Sequence, residues 1–150
     1  MIQLSQIRFA GAALAFASAL TLAVAVPAHA GSNRVSVEQW GRANSFATTQ
    51  TGIHQRLSVT QNGRGNHSIN QQDGSRNRVV VGQVGCGNVA DTRQHGTRGV
   101  VGVAQIGCRN DATVTQGGHR NAVGVIQTGS GNTARTTQYG NGNVILIIQE

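Results

Sequence analysis

The sequence has little of what an ordinary globular domain is built from. Lys is absent, and 150 residues include one Pro, one Trp, one Tyr, three Phe and two Cys. So few aromatic side chains, with few large aliphatic ones after the first thirty residues, argue against a conventional hydrophobic core. Because there is no Lys, Arg alone carries the positive charge, and the formal net charge is +7 at pH 7. Composition alone would indicate a disordered or prion-like polar chain.

The first thirty residues differ from the rest. Arg8 precedes an apolar run over residues 9–26, and the small-residue site Ala28-His29-Ala30 follows. This order is typical of a secretory signal peptide, so we expect residues 1–30 to be removed and residues 31–150 to be the secreted domain. An uncleaved membrane anchor is the alternative, since the apolar run is nearly long enough to span a bilayer.

The order of residues after position 30 is governed by an eleven-residue repeat. Each unit reads Asn-x-φ-x-φ-x-Gln, where φ is a small or apolar residue, followed by four residues with Gly second. The repeated glutamines are Gln39, Gln50, Gln61, Gln72, Gln83, Gln94, Gln105, Gln116, Gln127, Gln138 and Gln149. The glycines are Gly41, Gly52, Gly63, Gly74, Gly85, Gly96, Gly107, Gly118, Gly129 and Gly140. The asparagines are Asn33, Asn44, Asn66, Asn77, Asn88, Asn110, Asn121, Asn132 and Asn143, with Gln55 and Gly99 at the two remaining positions.

This repeat predicts strands and turns. Alternation with period two is the signature of a strand with one face buried, and Gly provides the positive φ of a tight turn. The inward residues are large in odd units, such as Val79 and Val81, and smaller in even units, such as Ala90 and Thr92. The full period is therefore twenty-two residues. We expect an all-β, two-sheet β-solenoid whose coils are strand-turn-strand-turn and stack about 4.8 Å apart.

The inward amides need hydrogen-bond partners because a buried amide is costly without them. In a stack of identical coils each Gln lies over the next, so the Gln and Asn amides are expected to bond along the stack, as in cross-β assemblies. The last strand, residues 143–149, is apolar on both faces. It is unlike the polar caps that normally close a solenoid, and we interpret it as an adhesive edge for another subunit.

The pattern Ser/Asn-x5-Gln-x-Gly-x-x-Asn-x5-Gln resembles the curlin repeat over all of residues 31–150. The resemblance implies a structural subunit of extracellular curli, the amyloid fibres (pili) that support cell adhesion and biofilm in Gram-negative-type bacteria. It also implies export by an outer-membrane secretion machinery, self-assembly, and a second curlin subunit as partner. A curlin nucleator that templates fibre growth is the alternative role. Gln55, Gly99 and the polar pair Ser68 and Asn70 depart from the pattern and are expected to weaken local packing.

Two columns of basic residues follow from the period. Successive coils place Arg76, Arg98 and Arg120 at one turn position, and Arg34, Arg56 and Arg78 on the outer face of odd strands. Stacked like charges repel, so the columns are expected to act as gatekeepers against premature aggregation. Binding of extracellular polyanions is the second interpretation of these columns. The alternative function of another class is therefore a soluble basic solenoid that binds polyanions and forms no fibres. Without interleaved aromatics, sequence-specific nucleic-acid recognition is not expected.

Cys86 and Cys108 occupy the same turn position in adjacent coils. A spacing of about 4.8 Å lies within the range that a disulfide bridges, and secretion permits oxidation. A disulfide and a pair of free thiols both fit this spacing. No nucleotide-binding loop or metal motif is present, and no cofactor or catalytic residue is predicted. A solenoid filled by its own side chains offers no cleft, so the chain is not expected to be an enzyme.

Overall fold

The computed structural model describes residues 31–150, and the predicted signal peptide lies outside them. Eleven strands follow one another along the chain, ten of nine residues and the last of six. They are β1 Arg34–Arg42, β2 Ser45–Ile53, β3 Arg56–Arg64, β4 His67–Ser75, β5 Arg78–Cys86, β6 Val89–Thr97, β7 Val100–Cys108, β8 Asp111–His119, β9 Ala122–Ser130, β10 Thr133–Asn141 and β11 Val144–Gln149. Nothing in the described residues forms a helix that is long and apolar enough to span a membrane.

The strands alternate between two parallel sheets. Odd strands form a six-stranded sheet in the order β1-β3-β5-β7-β9-β11, and even strands form a five-stranded sheet from β10 to β2. Every pair is in register at a separation of 22 residues, so that Gln83 lies beside Gln105 and Gly85 beside Gly107. The predicted all-β solenoid with a 22-residue coil is confirmed.

The core is a thin layer between the two sheets. Valines of β5, β7 and β9 face the smaller residues of β6, β8 and β10. The buried apolar side chains are Leu57, Val59, Val79, Val81, Ala90, Val101, Val103, Ala112, Val114, Val123, Val125 and Ala134. Alternation of large and small residues allows two flat sheets to pack closely without voids.

The turn glycines are fixed by close contact between coils. Gly85 has φ of 118°, and a Cβ there would lie 1.9 Å from the carbonyl oxygen of Gly107 in the next coil. Since no side chain tolerates that contact, the glycine column follows from in-register stacking as well as from backbone conformation. The strands also continue through these glycines and end three residues beyond the Gln, because the ladder is maintained across them.

Candidate functional site: the ladders, the free edges and the outer faces

The glutamines form two hydrogen-bonded ladders inside the solenoid. Nine Gln Nε2 groups each donate to Oε1 of the Gln 22 residues later, at 2.5 to 3.2 Å. Most interior glutamines also donate to the carbonyl of the first residue of a strand in the opposite sheet. Gln83 of β5, for example, donates to His67 O of β4 at 2.9 Å. Gln83 and Gln105 are fully buried. Each ladder therefore has a direction, with donors pointing toward β10 and β11.

The asparagines bond differently from what was predicted. Each of seven Asn side chains accepts from a backbone N–H 22 residues later and donates to the carbonyl of the turn glycine 19 residues later, as Asn88 does with Asn110 N and Gly107 O. The seven are Asn33, Asn44, Asn66, Asn77, Asn88, Asn110 and Asn121. An Asn side chain is shorter than a Gln side chain, so it reaches the backbone of the corresponding turn in the next coil and not the next amide of its own column. One direct amide pair occurs among them, Asn66 Nδ2 to Asn44 Oδ1 at 3.3 Å. Asn132 and Asn143 donate only within their own turn, to Thr128 O and Tyr139 O.

The departures from the repeat have different consequences. Gln55 donates like an Asn to Gly74 O, but its Oε1 is buried without a partner. Gly99 contributes no amide, and a Cβ there would lie 2.4 Å from Gln116 Oε1. The polar pair in β4 is satisfied instead: Asn70 donates to Ser68 at 2.9 Å and accepts from Thr92 Oγ1 at 2.7 Å. The polar residues in β4 are therefore joined into a small network with β6.

The strands at the two ends of the described stack have one unpaired edge each. At the β10–β11 end, Gln138 Nε2 is buried but has no acceptor. The inward Ile145 and Ile147 of β11 are only half-buried, whereas their equivalents Val123 and Val125 of β9 are fully buried. At the β1–β2 end, Gln39 and Gln50 donate within the stack, so their Oε1 atoms are not used by another Gln. The two ends are complementary, with donors at one and acceptors at the other.

Cys86 and Cys108 are joined by a disulfide, with their Cα atoms 4.5 Å apart. They are register partners at the ends of β5 and β7. The bond therefore links adjacent coils in the middle of the six-stranded sheet, on the same turn edge as Arg42 and Arg64 of earlier coils.

The basic columns lie together on the opposite turn edge. Arg76, Arg98 and Arg120 have positive φ of 55°, 56° and 54°, a conformation that favours Gly. Arg34, Arg56 and Arg78 begin the odd strands that follow these turns and are exposed register partners. The ion pairs found in residues 31–150 are Arg93–Asp91 and His95–Asp73, and neither includes a column residue. Six unpaired guanidinium groups therefore line one edge.

This second positive-φ position, two residues after the turn Gly, was missed from the sequence. It is occupied by Ala43, His54, Gly65, Arg76, Gly87, Arg98, Arg109, Arg120, Gly131 and Gly142. The four glycines at this position were a usable signal, since Gly is the residue that adopts such a conformation most readily. Within the described part of the chain, no cluster of three or more His, Cys, Asp or Glu side chains could hold a metal ion.

Comparison with known families gives one match. The curlin associated repeat matches twice, over residues 107–140 and 118–150, which correspond to the end of β7 through β11. Neither the curated proteins nor the solved structures give a match. The strands before residue 107 keep the same register and the same Gln ladders as the matched ones. The repeat architecture therefore extends over the whole described chain.

Proposed function

Because the curlin associated repeat matches residues 107–140 and 118–150 and the same coil architecture extends over residues 31–150, we propose that this chain is a structural subunit of an extracellular, curli-like amyloid fibre that supports adhesion and biofilm. The proposal includes removal of residues 1–30, export through an outer-membrane secretion machinery, and a cell-surface location. It also includes growth by stacking of identical subunits end to end. A second curlin subunit, as nucleator or as major component, is the expected partner.

The observation that carries the proposal is the pair of complementary ends. A buried amide donor without an acceptor, as at Gln138 Nε2, carries a penalty of about 1 to 3 kcal/mol. Adding the Gln39 or Gln50 end of another copy would supply the missing Oε1 acceptors and pair the free backbone edges. It would also bury Ile145 and Ile147. Every interaction gained in this way repeats one already made between coils within the chain, so growth needs no new kind of contact.

Seeded assembly tests this proposal. Residues 31–150 at low micromolar concentration should give sigmoidal amyloid-dye fluorescence, with a lag that preformed seeds shorten. A negligible lag without seeds would assign the nucleator role instead. A chain that stays monomeric and dye-negative for days would contradict the fibre function.

A charge placed on β11 tests whether this end of the solenoid takes part in stacking. Ile145→Lys puts an ammonium group where a half-buried side chain becomes fully buried on stacking, so elongation of wild-type seeds should slow at least tenfold. Thr137→Lys adds the same charge to the exposed outer side of β10 and should leave the rate nearly unchanged. Equal elongation by both variants would show that the β11 end does not take part in stacking.

The basic edge favours one second candidate, a polyanion-binding matrix protein. Its support is the set of six guanidinium groups without acidic partners at one edge. Binding of this kind weakens steeply with salt because it releases counterions. Heparin binding that is lost at high salt, from a chain that forms no fibres, would favour this function. Fibre formation that persists at high salt would favour the structural subunit.

A further inference from the structure

The two sheets of the described stack contain unequal numbers of strands. Six strands form one sheet and five form the other, so at one end β11 lies half a coil beyond β10. At the opposite end, β2 lies half a coil beyond β1 in the same sense. Each end is therefore a step and not a flat surface. A second copy can be stacked on this step in two orientations.

The orientation of the second copy decides whether both free edges are paired. If the second copy keeps the orientation of the first, its β1 pairs with β11, and a space one strand wide is left between β10 and its β2. If the second copy is turned by half a rotation about the stack axis, its β1 pairs with β10 and its β2 pairs with β11. Because unpaired backbone groups are costly when they are enclosed, the half rotation is the favoured orientation.

The half rotation brings together the single Trp and the single Tyr of the sequence. Trp40 of β1 and Tyr139 of β10 each follow the Gln of their strand by one residue, so they occupy the same outward position of the coil. Their relative exposures are 53% and 69%, and they lie at opposite ends of the stack. Tyr139 leans over Gly117 of β8, which leaves room beyond β10 for the larger Trp40. In-register pairing of β1 with β10 makes the two aromatic side chains neighbours on strands about 4.8 Å apart.

The outward charges also match in the half-rotated orientation. Glu38 is the acidic residue of β1, and Arg135 is the single charged residue of β10. Pairing of the two strands makes Glu38 the register partner of Thr137, and this places its carboxylate diagonally beside Arg135. The other junction joins β11 with β2, and neither strand contains a charged residue. Without the half rotation, Glu38 would lie beside Ile148 of β11.

We propose that the free edges of β10 and β11 bind the free edges of β1 and β2 of a second copy that is turned by half a rotation about the stack axis. Gln138 then donates to Gln39, and Gln149 to Gln50, so both ladders continue across the junction. The five-stranded sheet of each copy continues into the six-stranded sheet of the next. This inference rests on the stacking of subunits proposed above and adds the orientation of each subunit relative to its neighbour.

The interior of the junction differs from the interior of the chain. Val37 lies over the smaller Thr136, and Phe46 lies over Ile145, so the half-buried apolar residues at both ends become enclosed. Large residues then also face one another between the sheets, unlike the large and small pairs within the chain. The junction is therefore expected to be the least closely packed layer of the fibre.

The half rotation determines what the fibre surface presents. Successive subunits turn the outer face of the six-stranded sheet, and with it the edge formed by Arg76, Arg98 and Arg120, to opposite sides of the fibre. Each side therefore presents the basic edge at every second subunit, at intervals of about 53 Å for 22 half-coils of about 2.4 Å. No continuous basic stripe is expected on either side.

Engineered cysteine pairs distinguish the two orientations. Both pairs are introduced into the chain with Cys86→Ser and Cys108→Ser. Glu38→Cys with Thr137→Cys places register partners across the half-rotated junction, so oxidised fibres should give a series of covalent multimers on non-reducing gels. Glu38→Cys with Ile148→Cys is the matched control, because these positions are partners only without the half rotation, and it should remain monomeric. Multimers from the control pair, or from neither pair, would overturn the proposal.

Electron cryo-microscopy of wild-type fibres measures the orientation without any substitution. The half rotation predicts a turn of about 180° and a rise of about 26 Å per subunit, the height of eleven half-coils. Subunits related by a turn of about 0° and a rise of about 29 Å would overturn this inference and leave the fibre function intact. Absence of fibres would instead contradict the proposed function and this inference with it.

Discussion

At the scale of single residues, the two amides of the repeat have different partners although they share a face. Gln83 is long enough to reach the Gln of the next coil and a backbone carbonyl across the core. Asn88 reaches only the backbone of the corresponding turn in the next coil, where it accepts from Asn110 N and donates to Gly107 O. Both amides therefore join adjacent coils, Gln by bonding to another side chain and Asn by bonding to the backbone of the turn. A swap of either type is not conservative here, despite identical functional groups.

Removing one rung of the ladder measures its contribution. Gln83→Ala leaves the Nε2 donor of Gln61 and the Oε1 acceptor of Gln105 without partners in a buried site, so the free energy of unfolding should fall by about 3 kcal/mol. Gln71→Ala removes an exposed Gln from the outer face of β4 and should change it by less than about 0.5 kcal/mol. Urea denaturation of the soluble chain before assembly gives both values. Losses of similar size would show that the ladder contributes nothing beyond its packing volume.

At the scale of elements, strands were predictable and turns were only partly so. The alternation and the Gly column are direct consequences of a stacked coil, so the strand centres and the 22-residue register follow from the repeat. The strand ends do not, because the ladder continues through Gly85 even though φ is positive there. The second positive-φ position could not be recognised at Arg98, because Arg has no preference for that conformation. Stacking imposes it, since Arg98 N must reach Ser75 O in the preceding coil.

The disulfide between Cys86 and Cys108 can be removed without changing any other link between coils, so its contribution to the free energy of unfolding can be measured. Closing a 22-residue loop between β5 and β7 should stabilise the folded chain by about 3 kcal/mol. The double variant Cys86→Ser with Cys108→Ser should lose this amount in denaturant unfolding and should then be insensitive to reductant. Wild type treated with reductant should match the variant. Unchanged stability in both would show that β5 and β7 already hold each other as firmly without the bond.

At the scale of the whole molecule, the protein is a solenoid with two unlike faces, two unlike edges and two complementary ends. The two ends are the surfaces that we propose to stack, and the basic edge is exposed. The sequence repeat predicts the solenoid, because every coil obeys one rule. The 22-residue register also predicts that Gly102, Gly124 and Leu146 are neighbours on the outer face of the six-stranded sheet. It does not predict that the Leu146 side chain leans over Gly124, because the repeat does not determine a rotamer.

The central claim is that each chain in the fibre is a folded solenoid whose ladders run within the chain. Solid-state NMR of fibres in which Gln-labelled chains are diluted in a large excess of unlabelled chain tests it most directly. Contacts between glutamines 22 residues apart, such as Gln83 with Gln105, lie within one chain and should persist on dilution. If the Gln–Gln contacts disappear with dilution, identical residues of different chains are stacked on one another, and the solenoid is not the structural unit of the fibre.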